Sequence, residues 1–280
     1  MTMEFWFTEK QTEHLGLSVR VSKSLLVEQT AFQKLAVLET YQYGRMLVLD
    51  GAIQTTERDE FVYHEMITHV PLTTHPQPRE VLVIGGGDGG TVREILRHSE
   101  VRRVRLVEID ERVVAAARRF LPGLSQALDD PRAEVLIADG AEYLRALRGA
   151  CDVILVDSTD PVGPAVKLFE ADFYRAVYDA LAPDGLFVAQ SKSPYLDRGL
   201  IRDLLGIVRS LFPVALLYTA AIPTYPSGLW SFVLGSKVHH PLTFDEGRAE
   251  KLQTRYYSPE IHRSAFVLPR EIRDELNQAQ

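Results

Sequence analysis

Residues 85–91, GGGDGGT, lie between a predicted strand and a predicted helix and form a turn suited to binding a nucleoside. Gly85, Gly87 and Gly90 satisfy the spacing G-x-G-x-x-G, and a strand before and a helix after are the context that this motif requires. Glycines at this spacing allow the backbone to approach a ligand closely. The loop by itself therefore predicts a nucleotide or nucleoside ligand.

Acidic residues stand where three further predicted strands end. Glu108 and Asp110 follow the glycine loop at a distance of about 20 residues, where an acid can accept both hydroxyls of a ribose. We assign the ribose to Glu108 and the N-cap of the next helix to Asp110. Asp139 can accept from the adenine amine or simply form an Asp-Gly turn. Asp157 and Asp160 follow the fourth strand, and two acids so placed indicate ligand chemistry.

Asp88 narrows the class of ligand. A dinucleotide would place its pyrophosphate on the glycine loop, where this carboxylate would repel it. The methionine carboxylate of intact S-adenosylmethionine also fits poorly beside an added acid. Decarboxylated S-adenosylmethionine has only an ammonium there, which Asp88 would attract. The loop thus favours a nucleoside with a cationic tail over the cofactor of a dehydrogenase or of a methyltransferase.

The elements that position these residues alternate between strands and helices from about residue 61 onward. This rhythm predicts a parallel sheet with helices on both faces, and ligands of such sheets bind beyond the carboxyl ends of the strands. The predicted strands are 80–84, 104–109, 135–138, 151–156 and 186–190, with 214–220 and 229–234 as closing strands. The predicted helices are 61–70, 91–98, 111–120, 141–147, 171–181 and 200–212.

Residues 1–60 are predicted to be β structure. Segments 17–21, 35–38, 46–50 and 52–56 have strand-like patterns, and Asp50-Gly51 between the last two is a strong hairpin signal. Tyr43-Gly44 marks another turn. A sheet this small buries little apolar surface, so we expect it to pack on the main domain or on another subunit.

Composition argues against several other classes of protein. The chain has 280 residues, a net charge of −7 and a pI of about 5.7, which disfavours a nucleic-acid partner because phosphate binding needs a basic face. The single cysteine, Cys151, opens an apolar run and is predicted to be a small buried side chain. We find neither a signal-peptide pattern nor an apolar run near the ~20 residues of a membrane helix, so we expect a cytoplasmic protein without membrane contact.

Several longer segments resemble one enzyme family. They are YQYGRMLVLDGAIQTTERDEFVYHEMITHVPL, VLVIGGGDGGTVRE, LVEID, DVILVDSTDPVGPA, PTYPSGLWSF and YYSPEIHRSAFVLP. On these segments the chain resembles spermidine synthases, which are polyamine aminopropyltransferases, over nearly its whole length. The resemblance implies an α/β protein with an N-terminal β-hairpin domain (1–60) that mediates oligomerisation and forms part of the active-site wall. A Rossmann-like, methyltransferase-type catalytic domain (61–280) would follow.

The resemblance also implies the reaction. An aminopropyl group would move from decarboxylated S-adenosylmethionine to putrescine, giving spermidine and methylthioadenosine without a metal or redox cofactor. The partners implied are these small-molecule substrates and further copies of the chain, in a homodimer or homotetramer. Agmatine, cadaverine or spermidine could replace putrescine, since sequence does not reveal pocket length. A methyltransferase, a non-catalytic nucleoside-binding protein and a dinucleotide oxidoreductase are the rival classes.

Residue roles follow from the same resemblance. Asp157 is the expected acid-base residue, and His64 is expected near both substrates. The helix of His64 has no second histidine at the spacing of a metal ligand, so we reject a zinc site there. Contacts with the donor or with methylthioadenosine are expected from Gln33, Asp88, Glu108, Asp139, Gly140 and Pro164. The expected polyamine contacts are His64, Asp88, Asp157, Ser158, Thr159, Asp160, Tyr63 and Tyr225, with Gln54 and Gln190 as weaker candidates.

A gate loop over residues 157–164 is expected to close on the substrates. We predict that Asp160 binds a cation while Asp157 shares the proton of the attacking amine, its pKa raised by Asp160 and by loop closure. One position departs from the family pattern, since many relatives have an acid where this chain has Lys192. A lysine in the pocket would repel a cationic amine, which leaves the choice of acceptor open.

Overall fold

The computed structural model describes residues 4–160 and 163–277, without the side chains of 163, 164 and 277. The strands are β1 (Phe5–Lys10), β2 (Gly16–Gln29), β3 (Lys34–Thr40), β4 (Gly44–Leu49), β5 (Ala52–Thr56), β6 (Glu80–Gly85), β7 (Arg103–Glu108), β8 (Ala133–Ile137), β9 (Cys151–Asp157), β10 (Leu181–Gln190), β11 (Val214–Ala221) and β12 (Leu229–Ser236). The helices are α1 (Glu60–Thr74), α2 (Gly90–Ile95), α3 (Glu111–Phe120), α4 (Pro122–Ser125), α5 (Gly140–Arg145), α6 (Ala171–Ala180), α7 (Arg198–Leu211), α8 (Glu246–Lys251), α9 (Pro259–Ala265) and α10 (Arg270–Asn277).

The first five strands form one antiparallel sheet in the order β1-β2-β3-β4-β5. Leu49 pairs with Ala52 around the two-residue turn Asp50-Gly51, whose φ angles of 47° and 86° are both positive. Positive φ at both central residues is the requirement of a tight hairpin that matches the twist of its strands. The hairpin predicted at this position is therefore confirmed.

The other seven strands form a second sheet in the order β11-β12-β10-β9-β6-β7-β8. Strands β10, β9, β6, β7 and β8 run parallel, as the alternation of strands and helices predicts. The last two strands pair antiparallel, β12 with β10 and β11 with β12. This α/β arrangement brings the carboxyl ends of β6, β7, β8 and β9 to a common edge, where the acidic residues stand.

Apolar side chains cover both faces of the parallel sheet. Along β6, Val81 and Val83 join the core that contains α1 and α2, whereas Leu82 and Ile84 join the core that contains α6 and α7. Alternate residues of a strand point to opposite faces, so a strand buried on both faces is apolar throughout. This explains why the parallel strands show continuous apolar runs in the sequence.

Helix α3 connects the two sheets. Its residues Val113, Ala116 and Phe120 share one face and pack on Leu35 and Leu47 of the N-terminal sheet. The small sheet thus buries one face against the larger unit, as we expected from its size. The predicted boundary at residue 60 stays a prediction.

Strand β2 is longer than predicted, and several short helices were not predicted at all. Strand β2 continues to Gln29, and its pairing with β3 shifts register between Val21 and Lys23 and again between Ser24 and Leu26. Such bulges interrupt the alternation of apolar and polar residues on which strand prediction depends. Helices α4, α8, α9 and α10 were not predicted. Among the described residues, no helix is long and apolar enough to cross a membrane.

Candidate active site

The glycine loop and Asp157 meet where β6 and β9 end side by side. Gly85 pairs with Asp157 across the parallel register, and its φ is 82°. A Cβ at Gly85 would overlap the carbonyl oxygen of Asp157, and one at Gly90 would overlap the ring of His64. Close contacts therefore require glycine at both positions, and at Gly85 the positive φ requires it as well.

Asp157 is buried and held by two hydroxyl groups. Tyr63 Oη donates to its Oδ1 at 2.7 Å, and Thr91 Oγ1 donates to its Oδ2 at 2.6 Å. Burial, with a further contribution from Asp88, raises the pKa of Asp157, although His64 and the two hydroxyls oppose the change. A carboxylate fixed in orientation with a raised pKa has the properties of a general base. From the sequence we expected Asp160 to raise the pKa of Asp157. In the structure the neighbouring acid that raises it is Asp88.

His64 lies between two carboxylates. Its Nδ1 is 2.6 Å from Glu60 Oε2, and its Nε2 is 3.5 Å from Asp88 Oδ1. Burial alone would lower the pKa of His64, but Asp88 and Glu60 together raise it well above the ordinary value. The two carboxylates therefore favour the imidazolium form of His64, and Asp88 also accepts from the Gly90 N–H at 2.8 Å.

Glu108 is held by the backbone of the glycine loop and of its own turn. Its Oε2 accepts from the Gly87 N–H at 3.2 Å, and its Oε1 accepts from the Asp110 N–H at 2.9 Å. Burial raises the pKa of Glu108 to about 7 despite these hydrogen bonds. A carboxylate oriented in this way can accept hydroxyls from the cavity with its remaining lone pairs.

Asp110 and Asp139 both cap helices. Asp110 Oδ1 accepts from the Arg112 N–H at 3.0 Å, as predicted, while its Oδ2 accepts from Gln33 Nε2 at 3.1 Å. Asp139 Oδ1 accepts from the Ala141 N–H at 2.9 Å. The cap does not remove Asp139 from the site, because its side chain still lines the cavity.

A single cavity at this edge brings the predicted residues together. Its lining includes the following residues singled out from the sequence: Gln33, Gln54, Tyr63, His64, Asp88, Glu108, Asp139, Gly140, Asp157, Ser158, Thr159, Asp160, Gln190 and Tyr225. The side chain of Pro164 and residues 161 and 162 of the expected gate loop lie outside the described part of the chain. The loop's expected movement stays a prediction.

Tyr63, Tyr225, Gln54 and Gln190 add aromatic and amide groups to the cavity wall. Tyr225 Oη donates to the Gln54 carbonyl at 2.5 Å, and the Tyr225 ring lies 5.7 Å from the ring of Tyr63. Gln190 Nε2 donates to the Ser158 carbonyl at 3.1 Å, so Gln190 holds the start of the loop that carries Asp160. The weaker candidates Gln54 and Gln190 thus shape the cavity partly through backbone contacts.

Glu9 and Trp230 are among the cavity residues that the sequence analysis missed. Glu9 comes from β1 and is only 5% exposed, and Trp230 comes from β12. Glu9 Oε2 accepts from the Ile53 N–H at 2.9 Å, and burial raises the pKa of Glu9 to about 7. An acid in the polar N-terminal segment carries no sequence signal of its own, because only the packing of the small sheet on the large one brings it to the cavity.

Lys192 forms an ion pair inside the protein. Its Nζ lies 3.2 Å from Asp160 Oδ2 and 3.0 Å from Asp197 Oδ1, and its side chain is 18% exposed. Lys192 does not line the cavity itself, whereas Asp160 does. The cation next to Asp160 is therefore supplied by the protein in this structure.

Among the described residues, one set of side chains has the spacing of a metal site. His75 Nε2 and His239 Nε2 lie 3.8 and 3.5 Å from Asp184 Oδ2, near the starts of the strands and away from the cavity. However, the Gln77 N–H donates to His75 Nδ1 at 3.1 Å, which leaves the ring proton on Nε2. A metal-binding histidine instead donates from its other nitrogen. We assign no metal role to this set.

The parallel sheet with an acid-lined cavity at its carboxyl edge defines a protein of the Rossmann-like, methyltransferase-type fold, and comparisons with known proteins identify the family. Residues 5–57 match the spermidine synthase tetramerisation domain, and residues 60–246 match the spermine/spermidine synthase domain. The polyamine aminopropyltransferase of Caldicellulosiruptor saccharolyticus is 56% identical over 95% of this chain and 96% of its own. The polyamine aminopropyltransferase of Bacillus mycoides is 52% identical over 97% of this chain and 99% of its own.

Solved structures agree with this assignment. A spermidine synthase in complex with the transition state analogue AdoDATO has a TM-score of 0.96 at 41% identity, with 98% of this chain and 95% of that chain covered. The spermidine synthase of Thermotoga maritima has a TM-score of 0.95 at 40% identity, with 99% and 96% covered. The chain belongs to the spermine/spermidine synthase family, and it is an aminopropyltransferase.

Proposed function

We propose that this enzyme transfers the aminopropyl group of decarboxylated S-adenosylmethionine to putrescine, producing spermidine and methylthioadenosine. The observation that carries the proposal is Asp157, a buried carboxylate with a raised pKa, held by two hydroxyls at the edge of a nucleoside cavity. Its neighbour across the glycine loop is Asp88, which favours a cationic tail on the nucleoside. A proton acceptor next to a cation site is the arrangement that transfer to an amine requires.

The donor is proposed to lie along the carboxyl edge of the sheet. Glu108 accepts the ribose hydroxyls, and Asp139 accepts from the adenine amine with the oxygen that does not cap its helix. Gln33, Gly140 and Pro164 complete this part of the site. Asp88 attracts the ammonium of the aminopropyl group and so places the reactive carbon near Asp157.

Deprotonation of the acceptor is the chemical difficulty. A primary ammonium has a pKa like that of lysine, ~10.4, so near pH ~7.4 about one molecule in a thousand is neutral. This deficit amounts to roughly 4 kcal/mol. Asp157 takes the proton from the attacking ammonium, directly or through water. The freed nitrogen forms a bond to the carbon next to the sulfonium, the C–S bond breaks, and its electron pair stays on the sulfur of methylthioadenosine.

The acceptor is proposed to extend from Asp157 along the wall formed by Tyr63, Tyr225 and Gln54. His64, Ser158 and Thr159 lie at the junction between donor and acceptor. Asp160 and Gln190 belong to the far end. The aromatic rings provide a wall for the methylene chain of the diamine, and the acids Asp157 and Glu9 hold its two nitrogens.

The assembly is proposed to be a homodimer or homotetramer formed through the N-terminal sheet. Support comes from the match of residues 5–57 to a tetramerisation domain and from exposed apolar side chains on that sheet, including Phe5 and Trp6 at 63% and 56%. Sedimentation analysis of the wild type and of Trp6→Ser tests this. An unchanged oligomeric state in the variant would refute a contact through Trp6.

The decisive experiment offers purified enzyme decarboxylated S-adenosylmethionine with putrescine, cadaverine, agmatine or spermidine in separate reactions. Mass spectrometry detects the product amine and methylthioadenosine, and intact S-adenosylmethionine is the control donor. We expect the fastest turnover with putrescine. Faster turnover of another amine would refute the proposed acceptor, and reaction with only the control donor would refute the proposed donor.

A further inference from the structure

The ion pair of Lys192 and Asp160 bears on which amines the enzyme can accept. Asp160 and Glu9 both line the cavity, and they lie close enough for the charge of Asp160 to raise the pKa of Glu9. Lys192 Nζ is within 3.2 Å of Asp160 and also within 3.0 Å of Asp197, which stands behind it. One protein ammonium is therefore shared between two carboxylates at the position where an acceptor ammonium could bind.

The backbone fixes Lys192 in this place. Its φ is 67°, an uncommon value for a residue with a side chain. Its N–H donates to Gln190 Oε1 at 3.1 Å, and its carbonyl accepts from the Ser231 N–H and Oγ at 2.9 and 2.8 Å. Three hydrogen bonds hold the peptide groups of this residue, so its backbone has a defined position from which the side chain reaches Asp160 and Asp197.

The ion pair is protected from solvent. The side chains of Lys192, Asp160 and Asp197 are 18%, 36% and 23% exposed. Burial alone would lower the pKa of Lys192, but Asp160 and Asp197 outweigh it and raise the pKa. Lys192 is therefore charged throughout the range in which an amine acceptor would be used, and screening by salt is weaker than for a surface pair.

Counting charges at the far end defines which acceptors it suits. A diamine that attacks with one nitrogen brings one remaining ammonium, whereas a triamine brings two. Lys192 pairs with Asp160 and Asp197, whereas Glu9, which also lines the cavity, has no ion pair within 4 Å among the described residues. One free carboxylate matches the single remaining ammonium of a diamine.

We propose that Lys192 is a specificity-determining residue, which restricts the acceptor to diamines because its own ammonium occupies the carboxylates that a second acceptor ammonium would need. This inference rests on the proposed aminopropyl transfer to putrescine, and it predicts that spermidine, the product, is a poor acceptor. Spermidine in the acceptor position would bring a second ammonium towards Lys192, and like charges brought together at a binding site are disfavoured.

The test compares Lys192→Gln with the wild type, using putrescine and spermidine as acceptors at saturating donor. Gln keeps most of the length of the side chain but has no charge. Asp160 and Asp197 therefore lose their cationic partner, and the space between them changes little. We expect kcat/KM for spermidine, relative to that for putrescine, to rise by about tenfold or more, the effect of one close charge pair. KM for the donor should not change, which separates a selective effect from general damage to the fold.

Two further variants make the result specific. Lys192→Arg keeps the charge and should keep the discrimination between the two amines. Lys251→Gln removes an exposed lysine charge on α8, away from the cavity, and should leave both acceptors unaffected. A ratio of spermidine to putrescine that is the same in Lys192→Gln as in the wild type would overturn the proposal, as would an equal loss of discrimination in Lys192→Arg.

A binding measurement keeps this inference separable from the proposed function. Calorimetry with methylthioadenosine present gives the affinities of putrescine and spermidine without any turnover. Tighter spermidine binding by Lys192→Gln, with putrescine affinity little changed, supports the role of Lys192 even if the wild type fails to transfer an aminopropyl group. No change in the ratio of affinities overturns it even if transfer to putrescine is fast.

Discussion

Replacing Asp157 with Asn tests the role of the buried carboxylate most directly. Asn has the same shape, and its carbonyl can still accept from either Tyr63 or Thr91, so the cavity should keep its geometry. The variant cannot take a proton, however, and must use the roughly one amine in a thousand that is already neutral near pH ~7.4. We therefore expect kcat to fall by about 10² to 10³, within the range usual for loss of a general base.

The pH profile distinguishes this explanation from a simple loss of fit. In the variant, the rate should rise about tenfold per pH unit until the free amine predominates near pH ~10. In the wild type, activity should instead be lost as pH falls through the raised pKa of Asp157, because the protonated carboxyl can no longer act as a base.

Methylthioadenosine release, measured by mass spectrometry across this range, records both profiles. Asp203→Asn is the matched control, since Asp203 is an exposed carboxylate on α7 that pairs with Arg202. Donor affinity should be similar in all three proteins. If Asp157→Asn kept kcat within about twofold of the wild type, or lost activity without recovering at high pH, Asp157 would not be the base.

Three further predictions concern the acids around the substrates. Asp88→Asn should weaken donor binding and reduce the preference for decarboxylated over intact S-adenosylmethionine, measured as the ratio of their affinities; an unchanged ratio contradicts the reasoning from this loop. For Glu108, donor affinity should fall as pH drops through about 7, because protonation removes an acceptor of the ribose hydroxyls, and calorimetry should find this dependence absent in Glu108→Gln. Glu9→Gln should raise KM for the diamine with little effect on the donor, and steady-state kinetics showing an unchanged acceptor KM would exclude Glu9 from the far end of the cavity.

The sequence predicts the donor side of the site well, because each of its residues is tied to a strand end. Glu108 and Asp157 follow apolar runs whose order and direction are set by the alternation of strands and helices, and parallel strands bring their carboxyl ends to one edge. Gly85 and Gly90 are recognisable because no other residue tolerates the contacts at these positions. The helix cap at Asp110 was also predictable from its place before α3.

The acceptor side depends on contacts between distant parts of the chain. Glu9 reaches the cavity only because the N-terminal sheet packs on α3, and nothing in the local pattern of β1 marks it. The sequence identifies Lys192 as unusual but does not tell where its side chain points. Its partner Asp160 is 32 residues earlier along the chain, and the positive φ that directs Lys192 depends on hydrogen bonds from Ser231. Such pairings are consequences of the folded structure rather than of periodicity.

The surroundings of Asp88 give a structural argument for the cationic tail that the glycine loop suggested. Asp88, His64, Glu60, Arg93 and Glu94 form a buried row in which negative and positive groups alternate. His64 lies 3.5 Å from Asp88 and 2.6 Å from Glu60, and Arg93 lies 2.8 Å from Glu60 and 2.7 Å from Glu94. Each charge is compensated by its neighbours, which is the condition for keeping so many ionised groups away from water.

The row ends at the cavity with the carboxylate of Asp88, so a cation placed next to it continues the alternation. An anion in the same place would lie beside a carboxylate whose charge His64 only partly compensates, since His64 is already shared with Glu60. The methionine carboxylate of intact S-adenosylmethionine would occupy that unfavourable position, whereas the ammonium of the decarboxylated donor would not. His64→Ala should therefore shift the preference further toward the decarboxylated donor, because it removes the only cation within 4 Å of Asp88 in the described structure. Calorimetry with both donors measures that preference, and a shift toward intact S-adenosylmethionine would refute the electrostatic account.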